Sequence, residues 1–479
     1  EPDRMGATKA AIVALPLAFA LSGCVAAPPT TPQVSETRAA SLGLGSDSGP
    51  AVASDWWTAF NDPQLDRLVA QALDANPGLQ GALARIRAAQ AELSVARAES
   101  YPQVTIDGQD QRQLLSNAYG YLPPYGGSWR WVGGAQANIS WALDFWGKQA
   151  ALIARAHGTA QATALDARAA RLALAGQFVQ TYVNLGQAWQ NLDIARQTVS
   201  ERQTILDLTQ SRVTAGLENE ASLEQARALL ALANIEVRRA DSARDVAVHA
   251  IAALTGQGAA AYASIVRPTM TLDAALSLPA SLPADLLSRR PDVLAARVRI
   301  DAAVHGREAA HADFYPNINL IAAIGFQSLG LANLFTADAL TMGVGPAIHL
   351  PLFDAGRLRA QYARATADLD VAVADYNGAV VGAVRQTADA LTQAASLADQ
   401  RKEQQKALDS AQRALKLAEE RYRLGLSGQI PMLTAENILL TARQQMASLV
   451  AEATVQRVAL LLALGGGFTS DTKTEGAAP

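Results

Sequence analysis

The chain has 479 residues, a formal net charge of −4 and 50% hydrophobic residues. So even a charge balance offers no basic stripe for nucleic acid, and a single cysteine excludes an internal disulfide and a thiolate metal cluster. Aromatic residues are only 5% of the chain, few for a stack of compact cores but suited to helices packed closely through alanine.

Arg4 and Lys9 flank the start of an apolar run from Ala10 to Ala20, and Leu21-Ser22-Gly23-Cys24 follows. A basic start, an apolar stretch too short to span a bilayer and a small-residue site predict a signal peptide over 1–23. The Leu-Ser-Gly-Cys run resembles a bacterial lipobox, which implies a lipid on Cys24. Val25 stands where an aspartate would mark inner-membrane retention, so the expected destination is the outer membrane. Residues 24–54, rich in Pro, Ser, Thr and Ala, read as a lipidated tether.

The folded part opens at Asp55-Trp56-Trp57. Asp62 is an expected N-cap with Pro63 at the first helical position. This helix runs to about Ala75; a second spans about 78–100 and stops at Tyr101-Pro102. Strands are expected at about 103–117 and 129–143, rich in Gly, Gln, Asn, Thr and aromatics, with a loop between them. Each is long enough to cross a bilayer as a tilted strand, and Trp129, Trp131 and Trp141 would form aromatic belts at its interfaces.

No proline lies between Pro124 and Pro268. Within that gap, 146–212 and 218–255 read as helices forming a long hairpin over 146–255. Leu165, Leu172 and Val179 are spaced by seven, as are Leu185, Leu192 and Val199, which suits helices packed side by side. A Pro-containing linker follows Thr255-Gly-Gln-Gly258, and the pattern restarts. A helix is expected from Leu286 to Phe314, stopped by Tyr315-Pro316. Strands are expected at about 317–329 and 341–352, then helices over Gly356–Tyr422 and 432–464, the second hairpin covering 356–464. Residues 468–479 read as a disordered tail.

The hairpin turns match. Arg421–Glu436 and Arg212–Arg227 align with an offset of 209 (425 − 216) between Gly425 and Gly216. The chain therefore reads as an internal duplication, with repeats over 55–282 and 283–467. The fold class is mainly α with membrane β. Four strands cannot close a barrel, and open edges are not allowed in lipid, so an oligomer must supply the rest.

Trp56-Trp57 with Phe60 and Asp62-Pro63, Ser140–Lys148, Leu286–Val293 with its Arg-Arg-Pro-Asp, Tyr315-Pro316, Leu350–Arg357 and the two Gly-containing turns carry a resemblance over nearly the whole chain. It resembles the outer-membrane efflux lipoproteins of tripartite pumps, the TolC/OprM-like, NodT-type group. The resemblance implies a homotrimer, a 12-stranded transmembrane β-barrel, and a periplasmic α-barrel of very long helices. It implies as partners a periplasmic adaptor, an inner-membrane transporter of RND or MFS type, and outer-membrane lipid. The implied function is the exit duct of a pump for drugs or other small toxic compounds. The alternatives are the exit duct of a type I protein secretion system and a structural coiled-coil periplasmic protein without a pore.

Catalytic motifs are missing from the sequence. The five histidines lack the spacing of a helical zinc site, and there is no nucleophile elbow or phosphate-binding loop. No enzyme, metal or cofactor is expected beyond the lipid on Cys24. In the resembling family the helix tips close the periplasmic end. That places a pore gate at Ile430, Thr434 and Asn437, with Tyr422 as a linking residue, and adaptor contacts at Gly216, Leu217, Glu218, Glu220, Gly425 and Leu426. Thr434 and Ser222 stand at positions that are commonly acidic, which puts an electrostatic gate in doubt. The plainer reading of Glu218, Glu220, Glu224 and Glu436 is a set of solvated acids at helix ends.

Overall fold

The computed structural model describes residues 30–38, 41–44, 52–118, 124–271, 283 and 285–468. Cys24, the signal peptide and all of the expected tail except Phe468 lie outside these residues. The elements, in order, are α1 (Pro63–Ala75), α2 (Pro77–Ala98), β1 (Gln103–Leu114), β2 (Trp129–Leu143), α3 (Lys148–Thr214), α4 (Glu220–Leu254), α5 (Pro291–Ala312), β3 (Asn317–Leu329), β4 (Leu340–His349), α6 (Arg357–Arg423) and α7 (Gln429–Ala463).

Their lengths come in pairs. Helices α2 and α5 have 22 residues, α3 and α6 have 67, and α4 and α7 have 35. At 1.5 Å per residue a 67-residue helix is about 100 Å long. The expected N-cap is present: Asp62 Oδ1 accepts from the backbone N–H groups of Gln64 at 2.9 Å and Leu65 at 3.3 Å. The first strand ends at Leu114 rather than 117 and the last at His349 rather than 352, and two helix boundaries moved for local reasons. The helix expected from Leu286 is a 3-10 turn over Leu286–Arg289, and α5 starts only at Pro291, because proline pushes the preceding Arg290 into extended backbone. Helix α7 begins at Gln429, three residues early. Pro431 fits inside its first turn, where backbone N–H groups have no partner to lose.

The chain divides into two compact units. One combines residues 1–36, 86–163 and 296–376; the other combines 37–85, 164–295 and 377–479. Each draws on both sequence halves.

The first unit holds a four-stranded antiparallel sheet in the order β1-β2-β3-β4. Successive side chains alternate between faces, and the register sorts them by chemistry. One face carries Val104, Ile106, Ile139, Leu320, Ile324, Phe326, Met342, Val344 and Ile348, with Asp110 and Arg112 on it toward the Trp131 end. The other carries Gln103, Thr105, Asp107, Gln109, Gln136, Asn138, Ser140 and Thr341, with Val132, Ile321 and Leu329 as exceptions. On that polar face Asn138 donates to Asp107 at 2.7 Å. Trp129 and Trp131 sit at one end of the apolar face and Trp141 near the other. Below the strands, Trp146 stacks on Tyr315 at 4.8 Å and donates its indole N–H to Pro316 O. In this unit Gln33 and Val34 both donate backbone N–H groups to Asp370 Oδ1, at 2.8 and 2.9 Å, and Arg307 donates to Thr30 O. Glu36 pairs with Arg297.

In the second unit, of the positions spaced by seven, Val179, Leu185 and Leu192 are buried and Leu165, Leu172 and Val199 are half-buried. The C-terminus of each 35-residue helix abuts the N-terminus of a 22-residue helix. Asn76 donates its amide to Leu254 O at 3.0 Å, and Arg290 donates to Ala463 O at 3.2 Å, so each satisfies a terminal helix carbonyl. Buried Arg290 also grips Asp292 at 2.7 Å and Gln386 at 2.9 Å. Burial alone would raise the Asp292 carboxyl; Arg290 outweighs it and holds the group below its ordinary range.

Candidate functional site

Both long helices end in the same turn. Gly216 N–H bonds Val213 O and Leu217 N–H bonds Arg212 O, both at 2.9 Å. Gly425 N–H bonds Tyr422 O and Leu426 N–H bonds Arg421 O, at 3.0 and 2.9 Å. This is a Schellman cap, which needs a left-handed residue at the turn, and φ is +72° at Gly216 and +75° at Gly425. Such a cap usually tucks its following apolar residue against the helix. Here Leu217 and Leu426 remain 66% exposed.

Of the expected tip acids, Glu220 and Glu224 are exposed, as acids near a helix N-terminus prefer. Glu218 is half-buried: it accepts from Ser222 Oγ at 3.0 Å and lies 4.0 Å from Arg212. Asn219 caps α4 through Ser222 N–H.

Ile430, Thr434 and Asn437 follow each other at helical spacing and are all exposed along α7. Tyr422 is not on that face. It is fully buried and ties three helices together. Its hydroxyl lies 3.4 Å from Thr209 Oγ1, which also accepts from Gln429 at 3.1 Å. Arg212 lies 4.8 Å over the Tyr422 ring and donates to Tyr422 O. The aromatic body packs with Met432, Leu433 and Leu439, while its polar end stays bonded.

Glu436 departs most from the sequence reading. It is not a solvated acid but is 2% exposed, two turns into α7. Arg202 on α3 holds it, with Nε 3.2 Å from Glu436 Oε1 and Nη2 donating to Asn437 Oδ1 at 2.9 Å. The neighbouring Glu201 accepts from Arg443 at 3.0 Å. Burial pushes the Glu436 carboxyl upward; Arg202 pulls it back, while Glu201 and Glu419 add to the rise, and the net position is raised. Glu419 on α6 is raised too, by burial and then by Glu201. Arg202 carried no signal in the sequence, because its partner lies 234 residues away (436 − 202).

Among the described residues no group of histidine, cysteine, aspartate and glutamate side chains could hold a metal ion.

Comparison with known proteins places the molecule. Residues 68–257 and 282–466 match the outer membrane efflux protein family, described by that name. The fusaric acid resistance protein FusA of Burkholderia cepacia is 38% identical over 372 residues, covering 74% of this chain and 69% of FusA. Outer membrane protein OprJ of Pseudomonas aeruginosa is 31% identical over 95% of this chain and 96% of its own length. The crystal structure of the outer membrane protein VceC from Vibrio cholerae superposes with a TM-score of 0.81 at 32% identity, over 87% of this chain and all of VceC. The chain belongs to the outer membrane efflux protein family, and is a transport channel of the outer membrane rather than an enzyme.

Proposed function

We propose that this channel is the trimeric exit duct of a tripartite pump for small toxic compounds. The observation that carries the reading is the sheet. One face is mostly apolar, the other mostly polar, and β1 and β4 leave two open edges. Lipid tolerates an apolar face but no open edge, so pairing β4 of one copy with β1 of the next is the favoured solution, and three copies give twelve strands. The resistance names of FusA and of the multidrug protein MdtP of Escherichia coli support small molecules as cargo over secreted proteins. An adaptor and an inner-membrane transporter of RND or MFS type complete the pump. The paired helix lengths, and left-handed glycines recurring 209 residues apart (356 − 147, 425 − 216, 465 − 256), support an internal duplication.

Lipid on Cys24 fits the same frame. Thr30 is held by Arg307 in the unit that carries the sheet, and the six residues back to Cys24 reach at most about 20 Å.

The gate lies on the exposed stripe of α7, with Ile430 as an apolar constriction. Thr434 already donates its hydroxyl to Ile430 O, and Asn437 already accepts from Arg202. An acceptor at Thr434 and an amide donor at Asn437 remain for neighbouring copies. Purified protein in planar bilayers tests the reading. It should migrate as a heat-modifiable trimer and conduct ions, and Ile430→Ala should raise its single-channel conductance. Failure to form trimers or pass current sinks the duct; unchanged conductance in Ile430→Ala sinks the constriction.

A further inference from the structure

The apolar face of the sheet carries two charges that a lipid-facing surface does not account for. Among the described residues, Asp110 and Arg112 are the two charged side chains on that face of the strands. Both are exposed, and no hydrogen bond or ion pair within the protomer engages either of them. The strand that a second copy would bring beside β1 is β4, whose residues on this face are Leu340, Met342, Val344, Pro346 and Ile348. None of these is a partner for a charge.

The register fixes the depth of the two residues. Arg112 lies opposite Trp131, and Asp110 opposite Gly133. Trp141 lies ten residues along β2 from Trp131 (141 − 131). At about 3.4 Å per residue and a tilt of about 40°, the two indoles are about 25 Å apart along the membrane normal, the height of the apolar band of a barrel. They therefore mark its two interfaces. A lipid-facing charge is strongly disfavoured in mid-band and tolerated at an interface. Arg112 is thus at headgroup level, beside an exposed indole of the kind that prefers this depth. This end of the sheet is opposite the one where the strands join α2, α3, α5 and α6. With the helices in the periplasm, the lipid it meets is that of the outer leaflet.

The chemistry of the patch selects among headgroups. A guanidinium matches a phosphate through its planar fork of donors, and charge-assisted bonds of this kind are about twice as strong as neutral ones. An ionised carboxylate only accepts, so Asp110 needs donors. It lies over Gly133, where the missing side chain leaves it room, with the side chains of Leu331 and Leu334 alongside. Sugar hydroxyls supply donors without adding a charge.

We propose that Arg112, Trp131 and Asp110 form a binding site for a phosphorylated glycolipid of the outer leaflet. The phosphate sits on Arg112, sugar hydroxyls on Asp110, and the acyl chains run along the apolar face. The inference rests on the channel reading above, which orients the sheet in the membrane, and adds one lipid site per copy.

The test is native mass spectrometry of detergent-purified trimers incubated with one of three lipids: lipid A carrying its phosphates, the same lipid A dephosphorylated, or phosphatidylethanolamine. Wild type should bind the phosphorylated form about tenfold more tightly than the dephosphorylated one, the factor that one charge-assisted bond supplies, and saturate at one lipid per copy. Arg112→Gln should lose that preference. Asp110→Asn should weaken both forms of lipid A alike and keep the preference. Equal binding of the two forms by wild type, or a preference that survives in Arg112→Gln, would overturn the site. Phosphatidylethanolamine bound as tightly as phosphorylated lipid A would give Asp110 an ammonium as its partner and overturn the glycolipid. Should Arg112→Gln fail to assemble, the wild-type comparison still decides. If wild-type trimers conduct in bilayers free of glycolipid yet show no preference for phosphate, the channel reading stands and the lipid site falls. If trimers neither form nor conduct, both fall together.

Discussion

Gly216 and Gly425 reverse the chain in open space, while Gly256 and Gly465 make the same left-handed turn against packed backbone. All four cap helices with the same hydrogen-bond pattern, and their φ values lie between +70° and +96°. Around the first pair nothing would meet an added Cβ within 4 Å. A Cβ on Gly256 would lie 2.6 Å from Ala75 O, and one on Gly465 closer still to Arg289 O. One backbone motif therefore serves two purposes. At the joints glycine is required for its conformation and its size, because another helix starts against it. At the tips it is required for conformation alone, and Leu217 and Leu426 beside it stay exposed.

That contrast can be broken at its strongest point first. Arg290→Ala strips the buried Ala463 carbonyl of its donor, at about 1–3 kcal/mol, and loses the half-exposed pair to Asp292, at about 1 kcal/mol more, read as loss of the heat-resistant trimer. A small effect would show that the joint is not a built connection. Gly465→Ala should come next. It combines left-handed strain of about 1–2 kcal/mol with overpacking of about 1–3 kcal/mol, whereas Gly425→Ala carries only the strain. Melting the two variants side by side checks this; equal losses would erase the distinction between joint and tip. The smallest effect on stability belongs to Leu217→Asp and Leu426→Asp, within about 0.5 kcal/mol of wild type. Both should form normal trimers yet lose crosslinking to the adaptor, and retained crosslinking would reduce these leucines to turn formers.

The sequence and the structure agree where local chemistry decides. Helix α1 starts where Asp62 and Pro63 say it should, and β2 and β3 occupy the expected ranges because the turn residues around them leave no alternative. The same Asp62 has a second role no local pattern announces. Its other oxygen accepts from Tyr182 at 2.9 Å and from Thr269 N–H at 2.8 Å, fastening α1 to α3 and to the chain after α4. Residues 30–38 behave likewise. Their composition reads as a loose tether, yet Asp370, Arg297 and Arg307 bond them, through contacts more than 250 residues apart in the chain.

By itself the sequence determined the elements, the two turns and the family. Those depend on proline, glycine and side-chain periodicity, whose physical effects reach only a few residues along the chain. Only the tertiary structure decided which polar groups are buried and which partners they take. The linking residue Tyr422 took Thr209 and Arg212 as its partners, and Glu436 moved from solvent into a pair with Arg202. Burial is a property of what other helices bring to a position, and for Glu436 that is a guanidinium on a helix from the other half of the chain.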